Sequence, residues 1–284
     1  MKPLIPWFEP PVLEIPLGGV TIPIYGFGIL VAIGFIVGGR VAQDRARALG
    51  LDPDVINRLI SWLVFGTFVG GHVGYGLMYQ PEEYLANPVE FLKVWQGLSS
   101  FGGFVMCVPL AIWFFRKEKV PVWPYVDCLA HGLTIGWFFG RMGCFVTHDH
   151  PGTPTDFWLG VHGMCPGGDQ TVACHDMGLY EALWSLGMYL VFRFMDRVPR
   201  TVGLYAPLLG AAYAPVRFAM DFLRPETTDA RYLGFTPAQY WSVVFFGVAV
   251  WILVKRLRSD DRKVQPHAVP YAQPAPEPAA ASQG

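Results

Sequence analysis

The sequence predicts an all-α integral membrane protein with seven transmembrane helices, a periplasmic N-terminus and a cytoplasmic C-terminus. Of its 284 residues, 52% are hydrophobic and only 15% are charged, whereas soluble domains carry roughly 25% charged residues. Seven mostly apolar stretches approach the ~20 residues that cross a bilayer as a helix. Lys and Arg gather on alternate loops between these stretches. The net charge of −1 provides no basic surface for a phosphate backbone, so no nucleic-acid partner is expected.

The seven predicted spans make one transmembrane domain over residues 23–256. The third span needs residues 98–115 to reach a suitable length, and the fifth has Glu181 and Arg193 near its ends. The predicted spans are Ile24–Ala42, Ile56–Tyr79, Phe101–Phe115, Val122–Val146, Met177–Met195, Val202–Leu223 and Ala238–Val254.

Three segments are predicted to lie outside this bundle. Residues 1–22 contain one Lys and five Pro and lack the pattern of a cleavable signal peptide, so a periplasmic, interfacial segment is expected. Residues 147–176 form an external loop between spans four and five. Residues 257–284 are rich in Pro and Ala, which predicts a disordered cytoplasmic tail.

The orientation follows from the positive charges. Fourteen of the 21 Lys and Arg residues lie in the loops after spans one, three and five and in the tail, and five lie on the opposite side. Cytoplasmic loops carry the excess of Lys and Arg. The C-terminus is therefore predicted in the cytoplasm and the N-terminus outside, as an odd number of spans requires.

Glycine repeats in spans two and four predict close helix packing. They recur at four-residue spacing, which lets helix backbones approach each other. The alternative is that glycines near Gly102, Gly103 and Gly143 leave room for a lipid chain or head group. The repeats are Gly66, Gly70 and Gly74 in span two, and Gly132, Gly136 and Gly140 in span four.

Two arginines at membrane depth are the strongest functional signal. A charge at the centre of a span costs about 2.5–3.5 kcal/mol and usually marks function, although an arginine near a span end can also snorkel to the interface. Arg141 and Arg217 share a depth near the external side. Because guanidinium groups grip phosphate through two parallel hydrogen bonds, the pair predicts a site for a phospholipid head group. The same level also holds Tyr25, His72, Tyr75, Tyr180 and Glu181.

Six short segments, in this order and spacing, resemble the prolipoprotein diacylglyceryl transferase family over residues 20–255. The resemblance implies a seven-span enzyme of the bacterial inner membrane, without a metal or other cofactor. Its partners would be phosphatidylglycerol and the signal peptide of a prolipoprotein, whose lipobox cysteine receives the diacylglyceryl group while glycerol phosphate leaves. The segments are Tyr25-Gly-Phe-Gly, Gly70-Gly-His-Val-Gly-Tyr75, Ser99-Ser-Phe-Gly-Gly103, Gly140-Arg-Met-Gly-Cys-Phe145, Gly178-Leu-Tyr-Glu181 and Tyr213-Ala-Pro-Val-Arg217.

The resemblance also assigns residues. Arg141 and Arg217 match the family's two essential arginines, and Asp149 stands where the family has Glu. Tyr25, Asp127, Gly152 and Tyr213 match as well. Three positions depart from the pattern: Phe101 replaces a His, Cys144 replaces an Asn, and His72 replaces an Arg.

These assignments predict a mechanism. Arg141 and Arg217 would bind the phosphate and stabilise the charge that develops on it. A base must take the proton of the attacking thiol, and His148, His150 and His72 are the candidates, with His150 preferred. Asp149 would orient a histidine or bind the glycerol hydroxyls. The predicted binding residues are Tyr25, His72, Tyr75, Gly102, Gly103, Gly152 and Tyr213.

Two other interpretations stay open at this stage. The departures at Phe101 and Cys144 allow an inactive family member that binds lipid or lipoprotein. His and Cys residues in the external loop allow a metal-binding membrane protein, although no CxxC or HExxH spacing occurs. Because the external compartment is oxidising, Cys165 and Cys174 are expected to form a disulfide.

Overall fold

The computed structural model describes residues 3–17, 20–93, 97–165, 167–226, 231–259 and 263–266, and this part of the chain is mostly helical, as predicted. A short helix, α3 (Pro81–Ala86), and a 3₁₀ helix (Pro88–Leu92) follow the long helix of the second predicted span. One long helix lies on each predicted span: α1 (Gly26–Ala48), α2 (Pro53–Tyr79), α4 (Ser100–Glu118), α5 (Val122–Thr147), α6 (Met177–Met195), α7 (Tyr205–Met220) and α8 (Pro237–Leu257). Among the described residues, α1 and α8 are long and apolar enough to cross a membrane by length and composition alone.

Local sequence signals set where the helices begin. The Asp176 carboxylate accepts the N–H of Leu179 at 2.8 Å and caps α6. Thr236 and Gln239 form a reciprocal capping box at the start of α8, with Pro237 in the first turn, where its missing N–H costs nothing. These caps fix the starts of α6 and α8, which both follow loops that are predicted to be external.

Glycines bring the helices into close contact. Helix α5 packs against α1, α6 and α7, α2 packs against α4, and α7 packs against α8. A Cβ on Gly132 would overlap the carbonyl oxygen of Gly38 in α1, and a Cβ on Gly102 would lie 2.7 Å from the Cα of Gly74 in α2. The predicted glycine packing is confirmed at five of the six positions, whereas a Cβ on Gly140 would meet no atom of the described residues within 4 Å. Gly102 and Gly103 are buried between α2 and α4, which favours packing over an open space for lipid.

A buried polar cluster stabilises the end of the bundle opposite the external loop. Arg45 forms an ion pair with Asp196, and His131 Nε2 lies 3.1 Å from the same carboxylate. Asp127 accepts the backbone N–H of Gly203 at 2.6 Å and that of Tyr205 at 2.9 Å. Asp127 therefore holds the start of α7.

Three small sheets in the described part of the chain correct the all-α prediction. Strands β1 (Val12–Leu17) and β2 (Val20–Tyr25) pair antiparallel, because both contain β-branched residues that favour strands and a proline inside each disfavours a helix. Helix α1 consequently begins at Gly26 instead of Ile24. The external loop contains β3 (Pro151–Pro154), β4 (Val161–His162) and β5 (Ala173–Asp176) in the order β3-β5-β4.

The third sheet lies at the predicted cytoplasmic end. Strand β6 (Arg200–Thr201) pairs with β7 (Lys263–Val264), and Val264 joins the apolar core. Part of the segment expected to be a disordered tail is therefore folded, while residues 267–284 lie outside the described residues. Helix α7 begins at Tyr205 instead of Val202, because the chain leaves β6 through Gly203, whose φ of 83° is left-handed.

Candidate active site

Three arginines and a histidine line one cavity of about 70 Å³ at the predicted external end of the bundle. The lining comes from the end of α5, the loop that follows it, the start of α6, and the chain around the end of α7. The lining residues are Arg141, His150, Met177, Glu181, Arg217 and Arg224.

Glu181 holds Arg141 in one orientation. The Nε of Arg141 lies 2.9 Å from Oε2 of Glu181, and the guanidinium group stacks 4.8 Å from the ring centre of Trp137. The same Oε2 accepts the hydroxyl of Tyr213 at 2.8 Å and the indole N–H of Trp137 at 3.4 Å. Glu181 is 3% exposed, whereas the side chain of Arg141 is 18% exposed, so the guanidinium remains open to a ligand.

Asp221 plays the same part for the second arginine. It forms an ion pair with Arg217 one helical turn earlier, accepts a hydrogen bond from the hydroxyl of Thr236, and lies 3.9 Å from Nη1 of Arg224. Asp221 is fully buried, while the side chain of Arg217 is 22% exposed.

The site is therefore positively charged. Three arginines face two buried carboxylates, which leaves a net charge of about +1 on these groups before an anion binds. Guanidinium groups pre-oriented by carboxylates suit a phosphate, because the donors are already directed and little side-chain entropy is lost on binding.

His150 lies in this cavity as a neutral imidazole suited to take a proton. Burial lowers the pKa of His150 from its ordinary value, and the charges of Arg141 and Arg224 lower it further, although the hydrogen bond to the Asp149 carbonyl opposes this. Nδ1 lies 2.7 Å from that carbonyl oxygen. The tautomer that makes this bond carries its proton on Nδ1 and leaves the Nε2 lone pair available.

Two other predicted catalytic residues lie in the same loop but do not line the cavity. Nε2 of His148 lies 3.0 Å from the carbonyl oxygen of Phe8. Asp149 accepts the hydroxyl of Thr147 at 2.7 Å. The structure therefore brings together Arg141, Arg217 and His150, with Tyr213 joined to them through its hydrogen bond to Glu181.

The other predicted aromatic and histidine residues lie elsewhere. Tyr25 ends β2 and is exposed. His72 is buried, and its Nε2 lies 3.2 Å from the carbonyl oxygen of Glu90. Tyr75 stacks on Tyr79, with ring centres 5.7 Å apart. These residues stay predicted contacts for substrate.

The predicted glycines pack protein against protein. At Gly152 a Cβ would lie 2.7 Å from the carbonyl oxygen of Leu223 and from the Cβ of His175, so this glycine lets β3 approach β5 and the end of α7. Gly102 and Gly103 lie in α4, on the face that packs against α2. The side chain of Phe101 lies outside the described residues.

Three residues of the cavity region were given no role from the sequence, and they are Glu181, Asp221 and Arg224. Glu181 belongs to a segment that matches the family and shares the depth of Arg141. Asp221 follows Arg217 at the spacing of a helical ion pair. Both signals were present in the sequence, whereas nothing in the local pattern of Arg224 separates it from an ordinary loop arginine.

The predicted disulfide is present in the loop between α5 and α6. Cys165 and Cys174 are bonded, with their Cα atoms 5.3 Å apart, and they connect the loop before β5 to β5 itself. Within the residues that the structure describes, no group of three or more His, Cys, Asp or Glu side chains is placed to hold a metal ion.

Comparison with known proteins supplies the family. The family model described as prolipoprotein diacylglyceryl transferase matches residues 14–255. A phosphatidylglycerol–prolipoprotein diacylglyceryl transferase of Chromohalobacter salexigens is 32% identical, covering 85% of this chain and 92% of the relative. The transferase of Solidesulfovibrio magneticus is 32% identical, covering 88% of this chain and 96% of the relative. That of Nitratidesulfovibrio vulgaris is 31% identical, covering 81% of this chain and 88% of the relative. The chain belongs to the prolipoprotein diacylglyceryl transferase family.

Proposed function

We propose that this chain transfers the diacylglyceryl group of phosphatidylglycerol to the lipobox cysteine of a prolipoprotein. The cavity that places Arg141, Arg217 and His150 together carries the proposal. The cysteine sulfur forms a thioether bond to the glycerol carbon that bears the phosphate. The carbon–oxygen bond breaks, and glycerol phosphate leaves with the electron pair.

The arginines act on the leaving group. Arg141 and Arg217 hold the phosphate through charge-assisted hydrogen bonds, and they stabilise the charge that grows on its ester oxygen as the bond breaks. Donors of this kind contribute most when they are oriented before the reaction. Glu181 and Asp221 supply that orientation here.

His150 acts as the base. A free cysteine thiol has a pKa of about 8.5, and its thiolate is the nucleophile. The lowered pKa of His150 keeps its Nε2 unprotonated at neutral pH. The thiol proton moves to this nitrogen as the sulfur attacks, and the positive field of the arginines favours the thiolate.

The seven long helices are proposed to cross the bacterial inner membrane, with the cavity at its periplasmic side. The distribution of Lys and Arg supports this orientation. Three cations also stack on aromatic rings at the predicted cytoplasmic ends of the helices, where such pairs suit the membrane interface. They are Lys117 on Trp113, Arg197 on Phe194 and Lys255 on Trp251.

Transfer to a synthetic lipobox peptide, followed by mass spectrometry, tests the proposal. The wild-type protein in phosphatidylglycerol vesicles should give the thioether and release glycerol phosphate. Arg141→Ala and Arg217→Ala should each abolish both products, whereas Arg47→Ala, an exposed arginine at the opposite end, should not. Lipid binding without any transfer by the wild-type protein would instead indicate an inactive family member.

A further inference from the structure

The N-terminal segment, residues 4–8, lies extended along the external sheet. The N–H of Leu4 donates to the carbonyl oxygen of Trp158 at 3.1 Å, and Ile5 forms a parallel bridge with Val161. The carbonyl oxygen of Ile5 accepts the N–H of His162 at 3.0 Å. Four of the first eleven residues are proline, which keeps the free chain extended and reduces the entropy lost when the segment docks.

His148 joins this segment to the loop after α5. Its Nε2 lies 3.0 Å from the carbonyl oxygen of Phe8, and its ring stacks on Trp7, with centres 4.4 Å apart, and lies 4.5 Å from the ring of Phe8. His148 has a φ of 56°, a left-handed conformation that is unfavourable for a residue with a Cβ. The contacts with the N-terminal segment offset that conformational cost.

The same loop carries His150, the proposed base. The N–H of His148 donates to the carbonyl oxygen of Phe145, at 3.2 Å. The N–H of Asp149 donates to the carbonyl oxygen of Cys144, also at 3.2 Å, and these two bonds end α5. The carbonyl oxygen of His150 accepts the N–H of Met177 at 3.2 Å. The loop is thus fixed to α5 at one end, to α6 at the other, and to the N-terminal segment in between.

We infer that His148 is a positioning residue, and that residues 4–8 act through it to hold His150 in the cavity. The ring of His148 stacks on Trp7, its Nε2 donates to the Phe8 carbonyl oxygen, and its Nδ1 is buried with no hydrogen-bond partner among the described residues. His150 lines the cavity and His148 does not, so His148 supports the base and does not serve as the base. The inference rests on the proposed function only in giving His150 that role.

Three variants test the inference. His148→Gly removes the ring and also relieves the left-handed backbone, so it should fold. Trp7→Ala removes the stacking partner, and Trp7→Phe retains an aromatic ring as the matched control. Because small displacements of a reacting group cost up to about 100-fold in rate, the first two should lower kcat by about 10- to 100-fold. The KM for phosphatidylglycerol should change little, since Arg141 and Arg217 are untouched, and Trp7→Phe should stay close to wild type.

The pH profile and hydrogen exchange separate positioning from other roles. A released loop becomes hydrated, so the pKa of His150 that is read from the pH profile of the transfer rate should rise toward the ordinary histidine value. The acidic limb of this profile, where the rate falls as the base becomes protonated, should remain in His148→Gly. Loss of the limb in that variant would make His148 the base and overturn the inference. The amides of residues 148–150 should exchange faster in His148→Gly and Trp7→Ala than in Trp7→Phe.

Wild-type turnover or unchanged exchange at residues 148–150 in His148→Gly would also overturn the inference. If the wild-type protein gave no transfer at all, the proposed function would fail. The exchange comparison would still decide whether residues 4–8 hold the loop.

Discussion

Replacing Asp176 with Asn should change how the stability of this protein depends on pH. Asp176 is fully buried, and its Oδ1 caps α6 by accepting the N–H of Leu179. Its Oδ2 has no hydrogen-bond partner among the residues that the structure describes. Burial raises the pKa of Asp176 to about 7, and the charge of Asp149 raises it too, although the N–H groups of Leu179 and Gly178 oppose this.

The magnitude follows from linkage. A carboxyl pKa that rises from about 4 in the unfolded chain to about 7 in the folded one corresponds to about 4 kcal/mol. Below pH ~4 both states are protonated and the penalty is absent. Between pH ~4 and ~7 the unfolded state releases its proton first, so the free energy of unfolding falls as pH rises, by about 1.4 kcal/mol per pH unit, and then levels off.

Asp176→Asn keeps the capping oxygen and removes the ionisation. Denaturant unfolding in detergent micelles between pH 4 and 8 should show this fall in the wild-type protein and a flatter profile in the variant, with the variant more stable at pH 8. Asp169→Asn, an exposed carboxyl in the same external loop, is the matched control and should keep the wild-type profile. Parallel profiles for Asp176→Asn and wild type would refute the argument that a buried charge at Asp176 costs stability.

Substitutions at three further positions have defined outcomes. Trp137→Phe keeps the aromatic ring that contacts Arg141 but removes the N–H that donates to Glu181. Trp137→Leu removes both contacts, so the transfer rate should fall in Trp137→Phe and fall further in Trp137→Leu. Cys174→Ser opens the bond to Cys165 and should lower the stability of the external sheet by about 2–3 kcal/mol, seen as a lower melting temperature that dithiothreitol no longer changes. Gly102→Val would place its side chain against the backbone of Gly70, and it should reduce the yield of folded protein on size-exclusion chromatography, whereas an unchanged yield would contradict close packing of α2 and α4.

The helical architecture was predictable because apolar stretches and glycine spacing are local signals. The glycines of α2 and α5 show their packing role in the sequence itself. The antiparallel strand pair before α1 and the pairing of β6 with β7 were not predicted, since a strand of two to six residues beside an apolar run gives too weak a pattern. The folded part of the tail depends on Val264 reaching a core built by distant helices.

The candidate site was predictable in part, because two of its residues also give a local signal in the sequence. Arg141 and Arg217 stand out, because charge at membrane depth is rare. The sequence places Glu181 at the depth of Arg141 and Asp221 one helical turn after Arg217, but only the fold shows that Glu181 accepts from three donors. Trp7 and His148 are in contact although they lie about 140 residues apart in the sequence. No local pattern encodes such a contact.

A double-mutant cycle on Arg141 and Arg217 tests the central claim that both guanidinium groups hold one lipid phosphate. Lysine keeps the charge but loses the two-point grip, so Arg141→Lys, Arg217→Lys and the double variant should retain measurable transfer. If both groups act on the same phosphate, the singles should each lose about 10- to 100-fold in kcat/KM, and the double variant should lose clearly less than the product of the two. Losses that multiply would show that the two arginines act independently, and the shared phosphate site would be wrong.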